Sequence, residues 1–215
     1  MNARDTVLER IRTALADVPD AETPEHIEVD RAYRRSHAEG DLVELFAERV
    51  ADYRAHVVQA TPADAARTVG ELLSARGVTS LVVPAGFPED LLPQGGSWHR
   101  LSDDGPLTVA ELEAADAVLT TAAVGIAVTG TIVLDTGPGQ GRRMLTLLPD
   151  YHLCVVRAEQ IVGDVPDAIA MLDPARPLTF VSGPSATSDI ELDRVEGVHG
   201  PRTLDVLIIT QEQSA

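Results

Sequence analysis

The chain has 215 residues, 44% hydrophobic, 24% charged and only 3% aromatic, with a formal charge of −17 at pH 7. That length suits one domain with an appendage and is enough to bury a full core. The acidic excess, with a pI near 4.6, speaks against nucleic acid or an anionic membrane as a partner, and any anionic ligand needs a local positive site working against that field.

The elements follow in chain order. Val7, Leu8, Ile11 and Leu15 have helical spacing, which predicts a helix from Asp5 to Ala16 capped by Asp5 or Thr6. Its charges run throughout, with no apolar core of the signal-peptide type. Val18 to Arg35 contains Pro19, Pro24 and many charges and reads as a polar linker, so residues 1–36 form an arm and the domain proper spans 37–215. Leu42, Leu45, Phe46, Val50 and Tyr53 mark a helix, and Val57-Val58 a short strand. Thr61-Pro62-Ala63-Asp64 is a helix start for a segment running to Ala75 and ending near Gly77. Strands are predicted at Ser80–Pro84, Trp98–Leu101 and Ala117–Thr121, with a helix over Val109–Ala117.

Gly125 to Asp135 reads as a hairpin-like insertion with a Thr-Gly-Thr corner, followed by a flexible Gly137–Gly141 loop. His152–Val156, Leu178–Val181 and Val206–Thr210 are strands, and Pro166–Leu172 is a short helix. Strands alternating with helices of this length predict βαβ units and a mainly parallel sheet covered on both faces. Ligands of such sheets bind beyond the carboxyl ends of the strands, which places Gly183 and Thr129 at that edge. The single cysteine, Cys154, lies in an apolar run and reads as a small buried hydrophobe, which excludes an intrachain disulfide and any multi-cysteine zinc or iron–sulfur site. No run approaches the roughly 20 apolar residues of a membrane span. A soluble cytoplasmic protein is expected.

Three groups carry candidate chemistry. In Ser182–Glu191 (SGPSATSDIE), Gly183 and Pro184 turn the chain sharply, and Ser185, Thr187 and Ser188 then offer hydroxyls and N–H groups suited to a phosphate or carboxylate, or to an ordinary helix cap. In Gly197–Pro201 (GVHGP), His199 sits between glycines in a loop, where an imidazole serves general acid–base chemistry with Asp189 as its orienter. A triad of Ser185, His199 and Asp189 rests on proximity in sequence alone, without a nucleophile elbow. Around Gly130, Thr129 and Thr131 supply hydroxyls, while Arg142 and Arg143 are the nearest paired cations for a carboxylate or phosphate. There is neither a P-loop lysine motif nor G-x-G-x-x-G. His152, His199, Asp189 and Glu191 have no compact metal-ligand spacing, so no metal site is assigned. His37 and His56 read as structural.

Taken together, TGTIVLD, MLTLLPDYHLCVV, SGPSATSDIE and GVHGP resemble the LUD-domain family over roughly His37 to Thr210. The resemblance implies an α/β three-layer sandwich similar to the NagB/RpiA/CoA-transferase group, preceded here by the N-terminal helical arm. It also implies a place in oxidation of L-lactate to pyruvate beside iron–sulfur partner subunits, with no cofactor held by this chain. The ligand site would draw on Thr129, Gly130, Thr131, Gly183, Ser185, Thr187, Asp189, His199 and Gly200, with His199 and Asp189 as catalytic candidates. Two positions depart from the family pattern: Val128 stands where an acidic residue usually precedes TGT, and Ala186 where a basic or amide residue is common. Binding survives such losses more readily than catalysis.

Three functions remain open at this point. One is a subunit of a lactate-oxidising system that binds a small organic anion. Another is a stand-alone enzyme on a phosphorylated or CoA-linked small molecule. The third is a non-catalytic assembly protein whose N-terminal helix docks a partner, and homo-oligomerisation is compatible with all three.

Overall fold

Runs of aliphatic and β-branched residues without polar alternation make strands buried on both faces, which is the pattern of a parallel sheet. The computed structural model describes residues 2–19, 36–96, 98–187, 195–196 and 200–210. In chain order the elements begin with α1 (Ala3–Ala14), α2 (Leu42–Asp52), β1 (His56–Ala60), α3 (Ala65–Ala75), β2 (Ser80–Val83) and β3 (His99–Ser102). There follow α4 (Val109–Glu113), β4 (Ala117–Thr121), β5 (Val124–Ile126), β6 (Thr131–Leu134), β7 (Tyr151–Arg157) and β8 (Ile161–Val162). The last are α5 (Val165–Met171), β9 (Thr179–Val181), β10 (Ala186–Thr187), β11 (Val195–Glu196) and β12 (Thr203–Ile209). The chain falls into two units, Met1–Arg35 and Ser36–Ala215.

In the second unit, six strands form a fully parallel sheet in the order β1-β12-β7-β4-β2-β3. Strand β7 sits near its middle, and its first six residues are all buried. One face takes Val69, Leu72 and Leu73 of α3 against Leu81, Leu119, Leu153 and Leu207. The other face takes Phe46 and Val50 of α2 against Cys154, Val156, Val206 and Ile208. Helix α4 adds Leu112 against Val82 and Val118. Each such fully buried aliphatic side chain contributes roughly 1.5–3 kcal/mol from its removal from water. The predicted α/β class, with a parallel central sheet flanked by helices, is the fold observed.

The structure alters several local expectations. Helix α1 starts earlier than its apolar spacing indicated, because Asn2 is the cap and its side chain accepts from the Asp5 N–H at 2.9 Å. The linker predicted to end at Arg35 lies, from residue 20 on, outside the described residues. Thr61 does bind the Asp64 N–H through its hydroxyl, at 3.3 Å, but this closes a separate turn and α3 begins only at Ala65. Helix α4 stops at Glu113, short of the predicted Ala117. Two residues past its C-cap, the Asp116 carboxylate accepts from the N–H groups of Thr79 and Ser80, both at 2.8 Å, which directs the chain into β4.

The larger surprise is a second sheet, ordered β8-β5-β6-β9, in which β5-β6 is the predicted hairpin. Strand β9 pairs antiparallel with β6 and not with the central sheet. The second sheet contributes Ala127, Ile132 and Leu134 to the core beneath α2. Its other face is covered by Ala168 and Leu172, from α5 and the residue after it. Gly183 therefore follows a strand of the small sheet, and the expected position at the carboxyl edge of the parallel strands does not hold for it.

Candidate functional site

The Thr-Gly-Thr corner and the Ser-Gly-Pro-Ser turn are brought together by the small sheet and by α2. Gly130 has φ +56°, and a Cβ there would lie 2.5 Å from the Arg49 carbonyl carbon. Gly183 has φ +83°, and its Cβ would lie 2.6 Å from the Tyr53 oxygen. Both glycines thus do two things that only glycine does: they take a left-handed backbone and let a helix end approach the main chain. With those approaches made, the Thr131 hydroxyl meets Ser182 Oγ at 2.8 Å, and Thr129 Oγ donates to Thr131 Oγ at 2.8 Å. The Ser185 N–H donates to the Pro201 carbonyl at 2.9 Å, which ties this turn to the segment leading into β12.

Between these turns and the central sheet lies a cleft of about 220 Å³. Ser182, Gly183 and Ser185 form one wall, Gly200 and Leu204 another, and His152 with Arg143 the rest. His152 and Leu204 are the second residues of β7 and β12, so the cleft opens against the amino-terminal halves of those strands. It is also the carboxyl end of β9.

All seventeen basic side chains of this chain are arginine, and two of them are neighbours at this place. They behave differently. Arg142 grips Asp103 through Nε and Nη2, both at 2.9 Å, and also donates to the Leu107 carbonyl. Burial pushes the Asp103 carboxyl up, but hydrogen bonds from Arg142 and the Leu107 N–H outweigh it and hold the group below its usual range. Arg142 is thereby spent on structure. Among the described residues Arg143 donates only to the Thr146 carbonyl and hydroxyl, at 3.3 and 3.1 Å, and no carboxylate there pairs with it. It lines the cleft without a carboxylate partner among the described residues.

His152 is 2% exposed, and its Nε2 is 2.8 Å from Thr120 Oγ. Burial first, and the Arg143 charge second, bring its pKa down to about 4. The ring is therefore neutral at physiological pH. Cys154, two residues on and wholly buried, has its thiol pushed up to about 12 by burial, so it is no nucleophile. Among the described residues no three His, Cys, Asp or Glu side chains come together as metal ligands.

The LUD domain, as a family pattern, matches residues 43–209. The chain belongs to the LUD-domain family. A Deinococcus radiodurans protein named Lactate utilization protein C is 48% identical over 174 residues, covering 79% of this chain and 80% of that one. A Bacillus pumilus protein of the same name is 29% identical over 194 residues, covering 80% of each. The crystal structure of a DUF162 family protein from Deinococcus radiodurans superposes with a TM-score of 0.67 at 40% identity, covering 78% of this chain and 96% of that one.

Of the residues singled out from sequence, Gly183, Ser185 and Gly200 line the cleft of this LUD domain. Thr129, Gly130 and Thr131 stand behind it, joined to it through Ser182. Thr187 lies in β10, opposite Val195 of β11. Asp189 and His199, the two catalytic candidates, lie outside the described residues, as does Glu191. His37 binds Asp164 through its backbone N–H at 2.7 Å and through Nδ1 at 3.1 Å. His56 lies 3.6 Å from the buried Asp205. Among the two departures, the Val128 N–H donates to Gly163 at 3.1 Å, and Ala186 pairs with Glu196. Sequence reasoning underrated His152, which it considered only as a metal ligand, and missed Ser182 and Thr120. The available signal was a histidine inside an otherwise apolar strand, where an unpartnered imidazole is costly.

Proposed function

We propose that this LUD-domain chain takes part in L-lactate utilization, within a system that oxidises lactate to pyruvate, and that it binds a small organic carboxylate in the Arg143 cleft. The observation that carries the reading is the Arg143 guanidinium, which has no carboxylate partner among the described residues of a chain of charge −17 and lines a cleft with no carboxylate among its described lining residues. A guanidinium offers a carboxylate two parallel N–H donors. At about 220 Å³ the cleft is smaller than the roughly 300–1,000 Å³ of sites for drug-sized ligands, which suits an acid of a few carbons. The names of the relatives supply lactate and its oxidation product as the first ligands to try.

Electron transfer falls to other subunits in this reading. Iron–sulfur clusters are held by several thiolates, and this chain has one cysteine, buried in β7. Isothermal titration of the full chain with lactate and with pyruvate, alone and with partner subunits, should give saturable heat. Arg143→Gln should weaken binding about tenfold to a hundredfold, the worth of a charge-assisted contact of roughly 1.5–3 kcal/mol. Absence of heat in every combination would refute the reading.

A second reading, an assembly role, is favoured by α1. Val7, Ile11 and Leu15 repeat every four residues along one stripe and are 54%, 49% and 56% exposed. Deleting residues 1–35 should then abolish association with partner subunits while leaving the thermal transition of the domain in place. A truncated chain that still assembles would rule it out.

A further inference from the structure

Buried polar atoms almost always find partners, and His152 breaks that rule on one side. Its Nε2 is held by Thr120 Oγ at 2.8 Å. Its Nδ1 has no hydrogen-bond partner among the described residues, yet those residues contain no sealed, unsatisfied side-chain nitrogen. The small remaining exposure of His152 therefore includes Nδ1, and the space that His152 borders is the Arg143 cleft. The buried ring is tied to β4 through Thr120.

We propose that the Nδ1 edge of His152 recognises an oxygen on the carbon next to the ligand's carboxylate, so that the cleft prefers 2-hydroxy and 2-oxo acids to plain carboxylates. This rests on the anion-binding reading above, with Arg143 taking the carboxylate. A neutral imidazole suits the task, because an imidazolium would compete with Arg143 for the carboxylate itself. Thr120 is the positioning residue. If its hydroxyl donates to Nε2, Nδ1 carries the proton and serves both a carbonyl and a hydroxyl oxygen. If Nε2 donates to Thr120, Nδ1 is an acceptor and serves a hydroxyl alone.

The test is calorimetric titration of the full chain with sodium lactate, pyruvate and propionate, three acids of three carbons that differ at the second carbon. One neutral hydrogen bond in a buried site corresponds to about a fivefold to tenfold difference in affinity. Lactate, with or without pyruvate, should therefore bind that much more tightly than propionate. Whether pyruvate shares the gain reports the tautomer. His152→Asn places an amide at the branch that Nδ1 occupies and should keep the preference. His152→Gln places it toward Thr120 and should bring lactate and propionate to equal affinity; a lactate preference that persists in this variant overturns the role of Nδ1. Equal binding of the three acids by the native chain overturns this inference and leaves the anion site standing. Binding of none of them overturns both.

Discussion

Gly130→Ala tests why the Thr-Gly-Thr corner has its glycine. At φ +56° an alanine pays the left-handed penalty of roughly 1–2 kcal/mol. In addition its Cβ would sit 2.5 Å from the Arg49 carbonyl carbon and 2.6 Å from its oxygen, both backbone atoms of α2 that cannot rotate away. Forcing that separation costs a further 1–3 kcal/mol or so, the usual range for overpacking. The expected loss is thus about 2–5 kcal/mol. Gly77→Ala is the control: φ is +67° but nothing lies within 4 Å of the added Cβ, so only about 1–2 kcal/mol should go. Equilibrium urea unfolding followed by circular dichroism measures both, provided the slope is unchanged. Equal losses in the two variants, within about 0.5 kcal/mol, would show that the approach of α2 does not matter and would refute the reasoning.

Other consequences follow from the electrostatics. Asp205 is 1% exposed and accepts from Arg76 Nη2 at 2.7 Å and the Tyr151 hydroxyl at 3.0 Å. Asp205→Ala should cost about 2–4 kcal/mol in urea unfolding, below the upper range for a broken buried pair because Arg76 can rehydrate; a loss under 1 kcal/mol contradicts this. Asp116 has its pKa lowered to about 2, chiefly by the Thr79 hydroxyl and N–H. Its stabilisation is present above the unfolded value near 3.8 and is lost as pH falls through about 2. Because the side chain is exposed, Asp116→Asn should cost only about 1 kcal/mol at pH 7, and thermal melts should show the difference closing between pH 4 and 2, not between 5 and 7. Cys154 should resist an aromatic disulfide reagent at pH 8 in the native chain and react at once in urea; rapid native labelling would contradict its burial.

What sequence revealed and what it hid divide along contact range. The strands of the parallel sheet were legible because runs such as Leu153–Val156 and Val206–Ile209 are apolar on both faces, a property each run carries by itself. The family was legible because its motifs are local strings. The partner of β9 was not, since a three-residue strand ending in Ser-Gly-Pro looks the same whichever sheet accepts it. The same limit explains the two arginines. Arg142 and Arg143 are adjacent and chemically identical, and only Asp103, 39 positions upstream, decides which one is neutralised. The buried acceptor Asp205 was hidden for a like reason: its partners Arg76 and Tyr151 come from other elements.

The carboxyl edge of the parallel sheet, where ligands of such sheets usually bind, is filled in this fold. In an open parallel sheet a crevice forms where neighbouring strands lead off in opposite directions, here between β2, which continues to β3, and β4, which continues to β7. Strands β2 and β4 pair only at Leu81–Ala117 and Val82–Val118 and then diverge. The loop predicted to be flexible fills that gap. Gly139 donates to the Ala85 carbonyl at 2.8 Å and accepts from the Thr121 N–H at 2.9 Å, and a Cβ there would meet Thr121 Oγ at 2.9 Å. The wedge is held under strain, since Thr136, a β-branched residue, adopts φ +59°. Gln140 anchors it by accepting from the Asp135 N–H at 2.6 Å. About 250 Å³ remains beside the wedge, where Gln140 is committed and Gln160 already donates to the Ala122 carbonyl at 2.6 Å. On the opposite edge, Arg143 and His152 line one space. A charge and a neutral hydrogen-bonding group together define an oriented acid, whereas a single cation defines only an anion.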